Sequence, residues 1–293
     1  MSLKPFSQAR QPARAAWSME RLIVERSISL GCALDRSTQA MYSSALNSYD
    51  PDPTVNTLSL YITFMSHHIE PRSVRSYLAG IVSELEPSYP SVHPNQYSRL
   101  VVHTLKGSMR LFSGSVHQKS PLTRDDLKLV NDHLPRPLSH DNLLFLTMLC
   151  VGFFGLLRLG ELMQPDTSLH STSKISWRHD VHLNVIFFSF SIPQSKTDVM
   201  FEGDQVVIQK STTAPNPFVL FHKYLVSHDS HFALFPQLWL RSDGSVPSHS
   251  WFLSRLHSVF PRSIGNHSMR AGGTASLAAA GVPPSQIQAI GRW

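Results

Sequence analysis

His267 and Arg270 stand three residues apart in the run Asn266-His267-Ser268-Met269-Arg270-Ala271-Gly272-Gly273. On a helix, that spacing puts an imidazole and a guanidinium on one face. A fixed cation beside a titratable ring suits an oxyanion, and a phosphate in particular. The glycine pair that follows costs a helix roughly 1 kcal/mol per residue against alanine. Gly272 and Gly273 therefore imply close approach by another backbone or by a ligand. Gly281-Val282-Pro283-Pro284 breaks this small-residue helix, and Gln286 to Trp293 reads as the start of another.

Two earlier islands carry compatible chemistry. In Gly155-Leu156-Leu157-Arg158-Leu159-Gly160-Glu161, an arginine follows a strongly apolar stretch and is trailed by a glutamate at i+3. A guanidinium so close to a core must be paired or bound to an anion. Taken alone, this island reads first as a structural Arg158–Glu161 pair at a helix start. Gln194-Ser195-Lys196-Thr197-Asp198 places one lysine at the tip of an expected hairpin, where it is either a solvated turn residue or a mobile proton donor.

Several elements must position these residues. Residues 17–112 read as helices separated by turn signals: Trp17–Leu30, Ser37–Tyr49, Val55–His68 with Thr54 as cap, a helix from Pro71 ending before Pro87, and Asn95–Phe112. The polar stretch 113–122 reads as a linker, ahead of a second domain over 123–293. There, Thr123 with Asp126 resembles a capping box. Leu127–Leu134 and Asp141–Leu157 read as helices, the latter buried on all sides. Val181–Ile192 and Gln205–Gln209 read as strands flanking a polar turn. Helices return at Pro217–His228 and Ser250–Phe260. The expected fold is mainly α: a helical N-terminal domain, then a mixed α/β domain with a small antiparallel sheet.

Bulk composition narrows the function classes. The 293 residues are 42% hydrophobic, enough to fill real cores. Lys plus Arg is 26 against 20 Asp plus Glu, a net charge of +6 that favours a polyanionic partner. The surplus lies early, with five basic and two acidic residues in 1–26, so residues 1–16 read as a basic disordered arm. In the body, binding must come from placement rather than net charge. Cys32 and Cys150 are the two cysteines, too few for a disulfide framework or a cysteine-based zinc site. The sixteen histidines form no convincing ligand set, so no metal and no cofactor is implied. No stretch has the length of a membrane span and no signal-peptide pattern opens the chain. An intracellular protein is expected, nuclear if the source is eukaryotic, neither secreted nor membrane-bound.

Taken in order, Arg158, Lys196, His267-x-x-Arg270 and Gly291-x-Trp293 resemble the catalytic domain of the tyrosine recombinases, the phage-integrase-like family. The helical region 17–112 looks like that family's core-binding, SAM-like domain. The phrase from Asn266 to Gly273, with Ala278-Ala279-Ala280-Gly281-Val282-Pro283, looks most like the branch linked to fungal mobile elements. The resemblance implies double-stranded DNA as partner, strand breakage and rejoining as chemistry, and assembly as a homo-oligomer on DNA. It implies that Arg158 and Arg270 hold the scissile phosphate and that Lys196 protonates the leaving 5′-hydroxyl. His267 and Trp293 would complete the pocket, and Glu161 would support it by orienting a cation. Arg72 and Arg75, with Arg99, Lys106 and Arg110, would grip DNA phosphates from two helices of the N-terminal domain, or else are ordinary solvated charges.

The nucleophile departs from the pattern. The family's attacking tyrosine lies roughly one short helix beyond the Trp293 position. The seven tyrosines here are Tyr42, Tyr49, Tyr61, Tyr77, Tyr89, Tyr97 and Tyr224. Six fall in the helical domain, and Tyr224 precedes the His-x-x-Arg motif. A catalytic domain truncated at its C-terminus and defective in cleavage is expected. A non-enzymatic DNA-binding remnant, or a helical scaffold with no DNA role, are the other readings.

Overall fold

The computed structural model describes residues 16–31, 33–114, 119–166, 175–193, 203–211 and 214–293. The chain forms two compact units, Met1–Val116 and His117–Trp293. Among the described residues the architecture is mainly helical with one small antiparallel sheet, the expected fold class.

The first unit holds α1 (Met19–Gly31), α2 (Arg36–Asn47), α3 (Val55–Ser66), α4 (Pro71–Leu85), α5 (Val92–Gln96) and α6 (Arg99–Phe112). Thr54 and Thr57 form a reciprocal capping box at the start of α3, and Pro71 opens α4, where its missing N–H costs nothing. Leu58, Ile62 and Met65 of α3 meet Val74, Leu78 and Ile81 of α4 in the core. The expected Asn95–Phe112 helix is instead two helices. Ser98 adopts an extended conformation and its hydroxyl accepts from Val101 N–H, so it caps a new helix rather than continuing the old one.

The second unit is built on α8 (His140–Phe154), preceded by α7 (Arg124–His133) and followed by the four-residue α9 (Leu159–Leu162). Thr123 and Asp126 do form a capping box at the start of α7. Every residue of α8 from Leu143 to Phe153 is buried, as its unbroken apolar sequence requires. The sheet consists of β1 (His182–Leu183), β2 (Phe187–Ile192) and β3 (Asp204–Gln209), in that order. The single expected strand Val181–Ile192 is broken. Asn184 N–H donates to Phe187 carbonyl at 2.9 Å, closing a tight turn that puts Val185 and Ile186 in solvent. The β2–β3 register runs from Phe187 opposite Gln209 to Ile192 opposite Asp204. Phe188 and Phe190, on the inner face, stack on Phe221 of α10 (Pro217–Phe232), with ring centroids 4.0 and 6.1 Å apart. α11 (His249–His257), α12 (Ser268–Ala279) and α13 (Pro284–Gly291) complete the unit.

The glycine pair is explained by backbone approach. A Cβ on Gly272 would lie 1.9 Å from the Leu122 carbonyl oxygen, and one on Gly273 2.0 Å from that of Phe153. α12 is thereby clamped between the segment leading into α7 and the end of α8.

Candidate functional site

Residues from α8, α9, α12 and α13 converge within the second unit. α8 ends at Phe154, not Leu157 as its sequence suggests, with Gly155 at its C-cap. Leu156 then takes a left-handed conformation, φ 51°. A leucine held there stores on the order of 1–3 kcal/mol, tolerated because the surroundings fix it. The reversal buries both Leu156 and Leu157 and delivers Arg158 to the N-cap of α9.

Arg158 and Glu161 form the expected pair. Arg158 Nη1 donates to Glu161 Oε1 at 2.9 Å, and Arg158 backbone N–H donates to Oε2 at 2.8 Å. The Glu161 side chain is 4% exposed, while that of Arg158 remains 23% exposed. A buried carboxylate thus anchors one side of a guanidinium whose remaining donors are reachable.

Arg270 enters from α12. Its Nη1 donates to the Leu156 carbonyl at 2.8 Å and its Nη2 to the Gly291 carbonyl at 2.5 Å. The strained turn at Leu156 therefore aims one of the two acceptors that fix this arginine. Burial, and next the charge of Arg158 nearby, lower Arg270 to about 10. Two guanidiniums close enough to repel, one of them held by neutral carbonyls, form a site short of negative charge.

α13 supplies the remaining wall. Arg292 terminates it in the left-handed conformation, φ 59°, which turns the chain back on itself. The Trp293 ring then covers Gly291, where a Cβ would fall inside it, and lies against Arg270, with the guanidinium carbon 4.4 Å from the ring centroid. His267 sits at the N-cap of α12 and is exposed. His267, Arg270, Ala271, Thr274, Ala275, Ala278 and Trp293 line one open groove of about 460 Å³.

The structure thus brings together Arg158, Glu161, Arg270 and Trp293, with His267 in the same groove as the last two. Lys196 lies outside the described residues; the strand ends that flank its segment, Ile192 and Asp204, are paired with each other. The residue that the motif reading passed over is Arg292. Its side chain is 10% exposed, and its Nη2 lies 3.5 Å from Glu161 Oε2. An arginine ending a short helix, directly beside a pocket tryptophan, was the available signal.

Tyr224 is fully buried in α10, its hydroxyl donating to the Leu238 carbonyl and accepting from Leu240 N–H, both at 2.9 Å. Burial pushes its phenol well above the usual range. It is a core residue. The other six tyrosines belong to the first unit.

In that unit, Arg72 and Arg75 share a face of α4, and Arg99, Lys106 and Arg110 follow one stripe of α6. All five are exposed. Arg75 Nη2 lies 3.2 Å from Met109 sulfur, which draws the α4 charges beside those of α6. α6 itself carries no carboxylate.

No family model and no curated protein matches the sequence. Solved structures do resemble the fold. The Tn1549 transposon integrase in complex with transposon right-end DNA matches at a TM-score of 0.58 with 12% identity, over 92% of this chain and 90% of that one. A lambda integrase dimer bound to a COC′ core site matches at 0.57 with 12% identity, over 93% and 90%. A lambda integrase tetramer bound to a Holliday junction matches at 0.56 with 13% identity, over 92% and 75%.

Proposed function

We propose that the chain is a DNA-binding protein of the tyrosine recombinase type, belonging to an integrating mobile element and acting on duplex DNA, in the nucleus where the host is eukaryotic. The carrying observation is the convergence of Arg158 and Arg270 around the buried Glu161, with Trp293 against Arg270. In this reading the two arginines bind the non-bridging oxygens of one phosphate, His267 adds a hydrogen bond at the groove, and Trp293 shields Arg270 from water. Glu161 holds Arg158 in place. Lys196 is the proton donor to a leaving 5′-hydroxyl. Arg72, Arg75, Arg99, Lys106 and Arg110 neutralise phosphates further along the duplex, and copies of the chain assemble on paired sites.

None of the seven tyrosines is the nucleophile in this reading. Tyr224 is locked in the core with its proton held, and the other six belong to the first unit. In this reading the pocket binds the phosphate, and none of these seven tyrosines attacks it. Binding to a short fluorescent duplex tests the proposal. Arg158→Ala and Arg270→Ala should each weaken binding by on the order of tenfold or more, the cost of a lost charge-assisted hydrogen bond. The wild-type affinity should fall steeply with salt, by about one unit of log–log slope per phosphate neutralised. A salt-independent curve, or arginine variants that bind as well as wild type, would refute it. A covalent adduct on a nicked suicide duplex, mapped to one of these tyrosines, would overturn the assignment of the nucleophile.

A further inference from the structure

Arg292 touches three separate elements at once. Its Nη2 lies 3.5 Å from Glu161 Oε2 in α9 and 3.4 Å from the Gly155 carbonyl at the end of α8. Its Nε lies 3.9 Å from Asp204 Oδ2, at the first position of β3. Asp204 pairs with Ile192 at the end of β2. Glu161 is the carboxylate that holds Arg158 by side chain and backbone together. With the side chain 10% exposed, the guanidinium faces inward and not into the groove that Trp293 lines.

We propose that Arg292 is a positioning residue of the phosphate site. It keeps Glu161 fixed so that the carboxylate holds Arg158, and ties that pair to Asp204 at the start of β3. The proposal rests on the phosphate-binding reading of the pocket. Its physical basis is charge balance. Glu161 is nearly fully buried and lies between two guanidiniums, so removing one leaves a buried carboxylate under-compensated and free to reorient. Arg158 then loses its fixed acceptor, and the pocket loses the geometry that two-point phosphate binding needs. Arg292 is suited to the task because its planar fork can reach several acceptors at once, which a lysine cannot do. The left-handed backbone at Arg292 serves the same end. It sends the Arg292 side chain inward while returning Trp293 to cover Arg270.

The test is a mutant cycle on the full chain, read as affinity for a short duplex. Arg292→Gln should weaken binding on the order of tenfold in the wild-type background. In an Arg158→Ala background the same substitution should change affinity less than about twofold, because its effect passes through Arg158. Arg292→Lys, which keeps the charge but not the planar fork, should recover only part of the loss. An equal loss in both backgrounds would show that Arg292 grips phosphate directly or acts on the fold at large, and overturns the proposal. So would an Arg292→Gln variant that binds like wild type while Arg158→Ala binds weakly. If Arg158→Ala itself has no effect, the pocket reading fails, and the positioning role with it. Thermal unfolding guards against trivial misfolding. Glu161→Gln together with Arg292→Gln should destabilise less than the sum of the two single changes. Full additivity would show that the two side chains are not coupled and would also overturn the proposal.

Discussion

Gly273→Ala should destabilise the second unit although alanine is the better helix former. A Cβ at this position would lie 2.0 Å from the Phe153 carbonyl oxygen and 2.5 Å from Leu156 Cδ2. The oxygen is backbone at the end of a fully buried helix, so no rotamer change can make room, and α12 must retreat from α8 by about 1 Å. Overpacking of this kind costs about 1–3 kcal/mol, at the upper end where backbone is the obstacle. Helix propensity returns roughly 1 kcal/mol. The net expectation is a loss of about 2 kcal/mol, or roughly 4–8 °C in Tm for a unit of this size. The displacement has a second readout. Arg270 lies on α12, and its acceptor at Leu156 follows the end of α8, so the 2.8 Å hydrogen bond between them should break and duplex affinity should fall. Gly107→Ala is the internal control. Gly107 lies inside α6 with nothing near the added methyl, so there the same substitution should raise Tm. Differential scanning calorimetry of both variants decides the matter. If Gly273→Ala unfolds at or above the wild-type temperature while Gly107→Ala stabilises as expected, the close-approach argument is wrong.

Other expectations concern the pocket lid, the buried tyrosine and the acid limb of stability. Gly291→Ala should push the Trp293 ring off Arg270, lowering duplex affinity several-fold with little change in Tm, since Trp293 is half exposed; unchanged affinity would remove Trp293 from the site. Tyr224→Phe should cost about 1–3 kcal/mol, because Leu240 N–H loses its buried acceptor. Its duplex affinity should match wild type, and a large drop would contradict a purely structural role. Asp229 is held below the usual carboxylate range by Arg178, whose Nε and Nη2 lie 2.9 and 2.6 Å from its oxygens. A depressed carboxylate stabilises the fold above its unfolded value of about 3.9 and loses that contribution as pH falls through its folded value. Asp229→Asn should therefore lower stability slightly at neutral pH, by well under 1 kcal/mol given its exposure, and the difference from wild type should shrink in acid. A gap that persists at pH 2 would point to packing instead of charge.

Local signals carried much of this fold. The unbroken apolar run of α8, the Thr54 and Thr123 caps and the stripe of Val74, Leu78 and Ile81 are short-range patterns, and short-range chemistry enforces them. The glycine pair was legible for the same reason, because a costly residue in a helix demands a neighbour. What failed was set by contacts distant in sequence or by single-residue backbone choices. Ser98 and Asn184 each divert the chain through a side chain or turn that periodicity does not weigh, and they split an expected helix and an expected strand. Leu156 and Arg292 both take left-handed backbones with no glycine to mark them, and each does so to place its neighbour, Arg158 in one case and Trp293 in the other. Arg292 went unread because its role depends on Glu161 and Asp204, far away in the chain. The pairing of Arg158 with Glu161 could be read from their i, i+3 spacing; that the pair also belongs with Arg270 and Trp293 followed from the ordered set of motifs and not from any local spacing.

Electrostatics explain why the proposed pocket should favour an anion over water. Arg158, Arg270 and Arg292 converge on one buried carboxylate, Glu161, with Asp204 more distant. Burial and mutual repulsion lower Arg270 and Arg292 below their ordinary values. A lowered arginine means that the folded site holds its positive charge at a cost, and an incoming anion offsets that cost before any shape complementarity counts. Glu161 cannot supply the charge itself, because its oxygens are committed to Arg158 and Arg292. The carbonyls of Leu156 and Gly291 hold Arg270 in position without neutralising it. The arrangement therefore keeps Arg270 oriented while leaving its charge without a paired carboxylate, which is what the proposed phosphate binding requires.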